Sequence, residues 1–246
     1  MALSWSGRRK ALYTSVAGLL ALMLAIFVYQ GLFTAPPLCT DGRQNGDERG
    51  VDCGGSCSLL CKSESSPPTV LWSRAFRAAP QTYTAAAYIK NGNPGAGARH
   101  VGYSFQLFDA DQKLVVERDG IADLPPVPTI PIIETGINVG NRTVTSALFA
   151  FSNEAVWVRA GQMPALSASN QQLSPDGSRF DATIHNDSLV SARVMVAAVL
   201  FDADGVARAA SKSTLTLSPR SSTPVVFTWG EPAANIVRAE ITLLPL

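Results

Sequence analysis

The chain has 246 residues, of which 46% are hydrophobic, and its formal net charge is +1. This length accommodates two domains of ordinary size and a further short segment. The near-neutral charge and the absence of a Lys/Arg run beyond the N-terminus argue against a nucleic-acid-binding protein. Outside one apolar segment the composition is rich in Val, Thr, Ala, Ser, Gly and Pro, which is typical of short strands joined by turns.

Residues 11–33 form an apolar segment without a single charged residue. At about 1.5 Å per residue, a helix of this length crosses a hydrocarbon core of roughly 30 Å. The segment is preceded by the basic residues Arg8, Arg9 and Lys10. Because positive charges favour the cytoplasmic side, this places the N-terminus in the cytoplasm and residues 34–246 outside. The sequence predicts a single-pass protein of the cell membrane, with a cytoplasmic tail at residues 1–10 and an uncleaved signal anchor.

A cleaved signal peptide is the alternative interpretation of the same segment. The apolar run is longer than the usual signal-peptide core. The best small-residue cleavage site, Ala35, is followed by Pro36 and has Phe33 two residues before it, which fits the cleavage pattern poorly. The sequence therefore favours the anchor.

Small residues four positions apart lie on one face of the predicted membrane helix: Ala17, Ala21 and Ala25. Such a row allows two helices to approach closely. A weak homodimer through this face is a further hypothesis.

All four cysteines lie shortly after the apolar segment: Cys39, Cys53, Cys57 and Cys61. Thiols oxidise outside the cytosol, so two disulfides are predicted, in any of three pairings. A zinc site with four thiolates is the alternative, although the spacing differs from the paired C-x2-C pattern of zinc ribbons. We predict a cysteine-rich module over residues 34–62 and a Ser/Pro-rich linker over residues 63–69.

Oxygen-bearing side chains and glycines crowd the loop between the first two cysteines. Calcium prefers several such oxygens in a flexible loop, so a structural Ca²⁺ site is one hypothesis. The alternative is that Asp, Asn and Gly form turns, which the disulfides make rigid. The candidate calcium ligands are Asp41, Asn45, Asp47, Glu48 and Asp52. No other cofactor is predicted.

From residue 70 onward the sequence repeats itself. Phe108 aligns with Phe201 and Leu124 with Leu217, both at an offset of 93 residues (201 − 108 and 217 − 124). Roughly seven short strands in each copy predict a mainly β protein with two tandem immunoglobulin-like sandwiches, at residues 70–153 and 154–246. Upstream, LWSRA at residues 71–75 matches VWVRA at residues 156–160 with an offset of 85 residues (157 − 72), so Trp72 aligns with Trp157 near the start of each copy, as a packing residue.

The two copies share the tetrapeptides DADQ, at residues 109–112, and DADG, at residues 202–205. Their position between predicted strands favours hairpin turns over calcium loops. His100 and His185 lie at different places in the two copies, and neither belongs to a Ser/His/Asp or metal-ligand pattern. No catalytic residue is predicted.

The repeated unit resembles FxLYD and late-embryogenesis-type β-sandwich domains. The resemblance rests on Asn91, FQLFDADQ and LPP in the first copy, and on Asn186, AVLFDADG and LSP in the second. The first copy departs from the pattern at Gln112, where glycine is expected. The resemblance implies extracytoplasmic binding or scaffold modules without an active site.

Residues 39–57 resemble a short cysteine module of secreted and surface-anchored proteins, C-x-D-G-x-x-N-G-x-E-x-x-x-D-C-G-G-x-C. No established activity comes with this resemblance.

The expected function is that of a membrane-anchored, extracytoplasmic, non-catalytic interaction or scaffold protein of the cell envelope. Its partner would be another envelope protein or a surface polymer. A calcium- or redox-responsive envelope sensor and an accessory subunit of an envelope enzyme are the alternatives.

Overall fold

The computed structural model describes residues 5–33, 37–229 and 235–246. The chain divides into two compact units, Met1–Gly55 and Ser56–Leu246. The first contains the helix and the acidic loop, and the second contains the β-strands.

A single long helix, α1, runs from Trp5–Phe33 and begins six residues before the predicted segment. Its first turns therefore include the basic residues, and the Arg9 guanidinium lies over the Trp5 ring at 4.0 Å from the ring centroid. Residues Trp5–Gln30 are long and apolar enough to cross a membrane, and none of the most apolar window is buried by protein. The row of small residues at Ala17, Ala21 and Ala25 is exposed, so the homodimer stays a prediction.

The second unit confirms the predicted mainly β architecture, because its described residues form thirteen strands in four antiparallel sheets. The strands are β1 Thr69–Ala79, β2 Thr82–Lys90, β3 Ala96–Phe108, β4 Leu114–Leu124, β5 Thr129–Asn138, β6 Ser146–Phe151, β7 Trp157–Arg159, β8 Leu166–Leu173, β9 Arg179–Asn186, β10 Ala192–Asp202, β11 Ala207–Leu217, β12 Ser221–Thr228 and β13 Ile236–Pro245.

The four sheets pair into two sandwiches with the same topology. In the first, sheet β1-β2-β5 shares a hydrophobic core with sheet β4-β3-β6, to which β7 is added beside β3. In the second, sheet β8-β9-β12 shares a core with sheet β11-β10-β13. The strand orders correspond one by one, so the repeated sequence corresponds to a repeated fold.

Strand β7 belongs to the first sandwich. Trp157 pairs with Ala98 on β3 and is buried in the first core. β6 and β7 are two halves of one edge along β3, separated by a break where the Ser152 N–H donates to the Gly102 carbonyl. The second copy begins its strands at β8, so the alignment of Trp157 with Trp72 does not correspond to equivalent strands.

A third hydrophobic cluster joins the two sandwiches. It lies between sheet β1-β2-β5 and sheet β11-β10-β13, and its buried members are Ala86, Tyr88, Ile133, Ala197, Val199, Phe201, Ala207 and Ala210. β11 contacts β1, β2 and β5, so its strand direction crosses all three strands of the facing sheet. The second unit is therefore a stack of four sheets in which the two inner sheets are covered on both faces.

The sequences of residues 83–89 and 180–184 both alternate, which predicts two half-buried strands, and the stacking corrects this prediction for residues 83–89. Every residue from Tyr83 to Ile89 is buried, because the second sandwich covers the outer face of β2. The equivalent strand β9 alternates as predicted, because its outer face is open. With Asn91 aligned on Asn186, Ala86 and Tyr88 of β2 correspond to Asp181 and Thr183 of β9. The outer face thus has apolar residues in β2, where it is buried, and polar residues in β9, where it is open.

An aromatic cluster lies in the junction between the sandwiches. The Trp72 ring stacks on Tyr88 with centroids 4.7 Å apart, and Phe201 packs edge-on against both. The Arg238 guanidinium lies over the Phe201 ring at 4.3 Å. Aromatic pairs of this kind contribute about 0.5–1.5 kcal/mol each beyond their area, so the cluster helps to hold the sandwiches in one arrangement.

A buried asparagine closes the same end of each sandwich. The Asn91 amide donates to the carbonyls of Ala96 and Pro125, at 2.9 and 3.3 Å. In the second copy the Asn186 amide donates to the carbonyls of Val190 and Ser218, at 2.8 and 3.0 Å. Each asparagine thereby ties its own turn to the loop after the Leu-Pro or Leu-Ser-Pro sequence. This gives a physical reason for the repeated Asn and Pro positions.

Both DADQ and DADG form hairpin turns, as the sequence predicted. The Asp109 carboxylate accepts the N–H groups of Asp111 and Lys113, and the Asp202 carboxylate accepts those of Asp204 and Val206. The pKa of both carboxyls is lowered: at Asp109 mainly by a hydrogen bond from the Arg142 guanidinium and then by the Lys113 N–H, and at Asp202 mainly by the Val206 N–H. The carboxylates therefore stabilise turns.

The hairpins provide a matched test of backbone strain, because Gln112 has φ 60° where Gly205 has φ 72°. A left-handed backbone costs a non-glycine residue about 1 kcal/mol. We expect Gln112→Gly to raise the free energy of unfolding by about 0.5–1 kcal/mol and Gly205→Gln to lower it by about 1 kcal/mol. Chemical denaturation of the full chain in detergent, followed by tryptophan fluorescence, measures both changes.

Gln172→Gly is the control, because this residue lies inside β8 without a positive φ. Glycine there should lower the free energy of unfolding by about 0.5–1 kcal/mol. Equal effects of glycine at positions 112 and 172 would contradict the strain argument.

Candidate functional site

All four cysteines are in disulfides, as predicted, so none of their thiolates is available to bind zinc. Within the second unit, Cys57 and Cys61 are both buried. Three regions are candidates for a functional site. They are the acidic loop of the first unit, a cysteine segment at residues 56–61 of the second unit, and a groove in the second unit.

The first half of the acidic loop is held by Asp41. Its carboxylate accepts the Arg43 N–H at 2.9 Å and the Asn45 side-chain amide at 2.7 Å. The bond from Asn45 is the main reason that the pKa of Asp41 is lowered. Asp41 and Asn45, both predicted as calcium ligands, therefore form a turn in which one donates to the other.

The second half of the loop is held by Glu48 and Asp52. Glu48 Oε2 accepts the N–H groups of Asn45 and Asp52, each at 3.3 Å, and the Asp52 carboxylate accepts the Gly42 N–H at 3.0 Å. Among the described residues, no three of the predicted acidic ligands come close enough together to hold a metal ion. The calcium site stays a prediction, and the geometry of the loop fits turn formation.

Asp47, the remaining predicted ligand, lies against a glycine of the cysteine module. A Cβ atom added to Gly55, which has φ 56°, would lie 2.0 Å from the Asp47 carbonyl oxygen. Only glycine fits there, which accounts for one glycine of the Cys-Gly-Gly sequence.

Calcium added to the oxidised full-length protein in detergent is expected to give no binding heat, because the loop carboxylates already accept N–H groups. Isothermal titration measures this directly. A heat that disappears in Asp52→Asn, and persists in the control Asp204→Asn, would establish the calcium site instead.

The cysteine segment adds an edge to the first sandwich. Leu59 forms a β-bridge with Val158 on β7. The Leu60 N–H donates to the Trp157 carbonyl at 2.9 Å, and the Arg159 N–H donates to the Ser58 carbonyl at 2.7 Å. The cysteine segment is thus continuous with sheet β4-β3-β7.

The residues after the cysteine segment are also held in place. The Ser66 N–H donates to Asn93 Oδ1, and the Asn93 amide donates back to the Ser66 carbonyl, both at 2.7 Å. Asn93 is buried whereas Ser66 is exposed, so this reciprocal pair is partly shielded from water. The predicted linker at residues 63–69 is therefore fixed to the first sandwich at Ser66, although its Ser and Pro content favours flexibility.

A groove of about 600 Å³ opens beside β7, and we call it the junction groove. Its walls come from β3, from the loop after β4, from the segment between β7 and β8, and from the end of β13. The lining residues used below are Arg99, Asp123, Val156, Val158, Arg159, Met163 and Leu246. The volume lies within the range of ligand sites in proteins.

A β-bulge shapes one wall of the junction groove. The pairing of β3 with β4 shifts between Ala98 and Val101, so that Arg99 and His100 form the irregularity. His100 has φ 54°, and its N–H donates to Asp123 Oδ1 at 2.9 Å. Bulges often occur beside functional sites, where they redirect side chains. Sequence patterns did not indicate this bulge, because it arises from pairing with another strand.

A smaller cavity of about 170 Å³ adjoins the groove and shares Asp123 and Leu246 with it. In its wall, the Tyr103 hydroxyl donates to Glu134 at 2.5 Å, and Lys212 of the second sandwich lies 3.9 Å from the same carboxylate. Burial is the main cause that raises the pKa of Tyr103, followed by its bond to Glu134. The contact between Lys212 and Glu134 joins the two sandwiches beside the groove.

His185 has a polar partner that the sequence did not reveal. β8 pairs with β9, and this brings Ser169 Oγ to 2.6 Å from His185 Nε2. Both residues lie on the outer face of the second sandwich, away from the junction groove. His100 contributes its backbone to the bulge described above.

The chain matches no protein-family model and no curated protein sequence. The resemblances of the repeats and of the cysteine module therefore stay predictions from their residues.

Proposed function

We propose that this is a membrane-anchored, non-catalytic interaction or scaffold protein whose β-sandwiches lie outside the cytoplasm, in the cell envelope. The apolar helix α1, with basic residues in its first turns, supports the anchor and its orientation. Two disulfides support an oxidising compartment for the residues that follow.

The observation that carries the proposal is the continuous packing from the cysteine segment to the second sandwich. The segment is hydrogen-bonded to β7, and the third hydrophobic cluster joins the first sandwich to the second. A connected body of this kind holds a binding surface in a fixed orientation, as a scaffold requires.

The surroundings of His185 support a non-catalytic role. Its ring contacts Ser169, but among the described residues no carboxylate hydrogen-bonds to the ring to orient it. The pair lies on an open sheet face instead of in a cleft that excludes water. A nucleophile and base without an orienting group and a closed site lack most of the catalytic arrangement.

The protein extracted from membranes is expected to have its full-length mass and four alkylated cysteines only after reduction. Intact-mass spectrometry with and without a reducing agent measures both properties. A mass that lacks the first 35 residues would indicate a cleaved signal peptide, and thiols that react before reduction would contradict the assigned compartment.

Cross-linking intact membranes through lysine is expected to join the sandwiches to another envelope component, with Lys90 and Lys113 as reactive sites. Peptide mass spectrometry identifies the linked residues. A double variant, Lys90→Arg and Lys113→Arg, keeps the charge and should lose these links. Links only within one chain, together with sedimentation at the size of a single chain, would contradict a scaffold function.

A further inference from the structure

From the shape and charge of the junction groove, we infer that it binds an extended segment of a partner protein. An acidic side chain of that segment pairs with Arg99, and neighbouring apolar side chains contact the groove walls. This inference rests on the proposed interaction function and names the surface and the chemistry of the partner.

The walls of the junction groove expose apolar side chains close together. Val156 is 62% exposed and Leu246 is 53% exposed, and Val158 and Met163 lie in the same lining. Single exposed apolar residues are common, but a group of them in one concavity is typical of a binding surface. Covering these side chains would remove apolar area from water.

The charged side chains of the groove lining are two arginines and one aspartate: Arg99, Arg159 and Asp123. The Arg99 side chain is exposed, and its guanidinium makes no hydrogen bond or ion pair with another described residue. By contrast, the Arg159 guanidinium donates to the Cys57 carbonyl at 3.0 Å, and Asp123 accepts the His100 N–H. The Arg99 guanidinium can therefore bind a carboxylate without giving up a contact within the protein, and its planar group matches two carboxylate oxygens.

The bulge presents this charge to the groove. His100 keeps a left-handed backbone that is unfavourable for a residue with a side chain, and the Asp123 carboxylate holds its N–H. Strained backbone held by a specific contact is concentrated at functional sites. The strain at His100 supports a binding role for the adjacent Arg99.

The groove could in principle bind either an extended peptide segment or a small apolar acid such as a fatty acid. The extended peptide segment fits the groove better. Residues 161–163, between β7 and β8, make no backbone hydrogen bond to another described residue. Their N–H and C=O groups are able to pair with a partner main chain, as an added strand does. The walls of the groove are also exposed, as at Val156 and Leu246, whereas small-ligand sites bury most of the ligand surface.

A photoreactive residue placed at Val156 or at Val226 of the full-length protein in membranes tests this inference. Both valines are exposed, by 62% and 48%, but Val226 lies on β12, outside the groove lining. We expect position 156 to cross-link to an Asp- or Glu-containing segment of a partner. The yield should fall about tenfold in Arg99→Gln, because a charged hydrogen bond is lost.

Arg74→Gln is the matched control, because Arg74 is an exposed arginine of β1 outside the groove lining. It should leave the yield at position 156 unchanged. The peptide acetyl-Val-Glu-Val-Glu-Val-amide should compete with the cross-link, and its Gln counterpart should compete at least tenfold more weakly. Thermal melting shows whether Arg99→Gln keeps the fold, and Arg99→Lys gives a second variant that retains the charge.

Three results would overturn the inference: an unchanged yield in Arg99→Gln, cross-links from position 226 alone, or competition by dodecanoate but not by the Glu peptide. Cross-links from position 226 alone would leave the proposed scaffold function intact. The absence of partner links from both positions and from the lysines would instead contradict the proposed function itself.

Discussion

The packing of sheet β1-β2-β5 against sheet β11-β10-β13 is the contact on which the second unit depends. It buries the outer faces of β2 and β10, where small residues such as Ala86 and Ala197 let the two sheets approach closely. The aromatic cluster around Trp72 lies in the same layer. The interface pairs sheet β1-β2-β5 of the first copy with sheet β11-β10-β13 of the second, and these sheets are not equivalent in the two copies. The interface is therefore heterologous, which means that each copy contributes a different surface.

A heterologous interface has no reason to stop at two copies unless its outer faces are made unsuitable. The outer face of β9 carries Asp181 and Thr183, whereas the equivalent positions of β2 are Ala86 and Tyr88. Polar residues on the terminal faces of a repeat stack prevent further stacking. Leu246, directly after β13, lies in the same lining as Asp123, so the second sandwich supplies one wall of the junction groove.

Much of the fold was predictable because it depends on local patterns. The alternation of β9, the Asp-initiated hairpins and the apolar helix can each be recognised within a short stretch of sequence. The complete burial of β2 was not predicted, because a run of small and aromatic residues is compatible with one or two covered faces. The alignment of β2 with β9 contained the signal, since apolar residues of one strand become polar in the other.

The sequence by itself determined the long apolar helix, the clustering of the disulfides and the duplicated β-sandwich, because hydrophobic length, cysteine position and repetition are properties of the chain order. Tertiary structure alone decided the fixed position of the residues around Ser66 and the bulge at Arg99 and His100. It also decided which strand Trp157 joins. These features depend on pairing between residues far apart in the chain, where the geometry of the partner strand, and not local preference, sets the conformation.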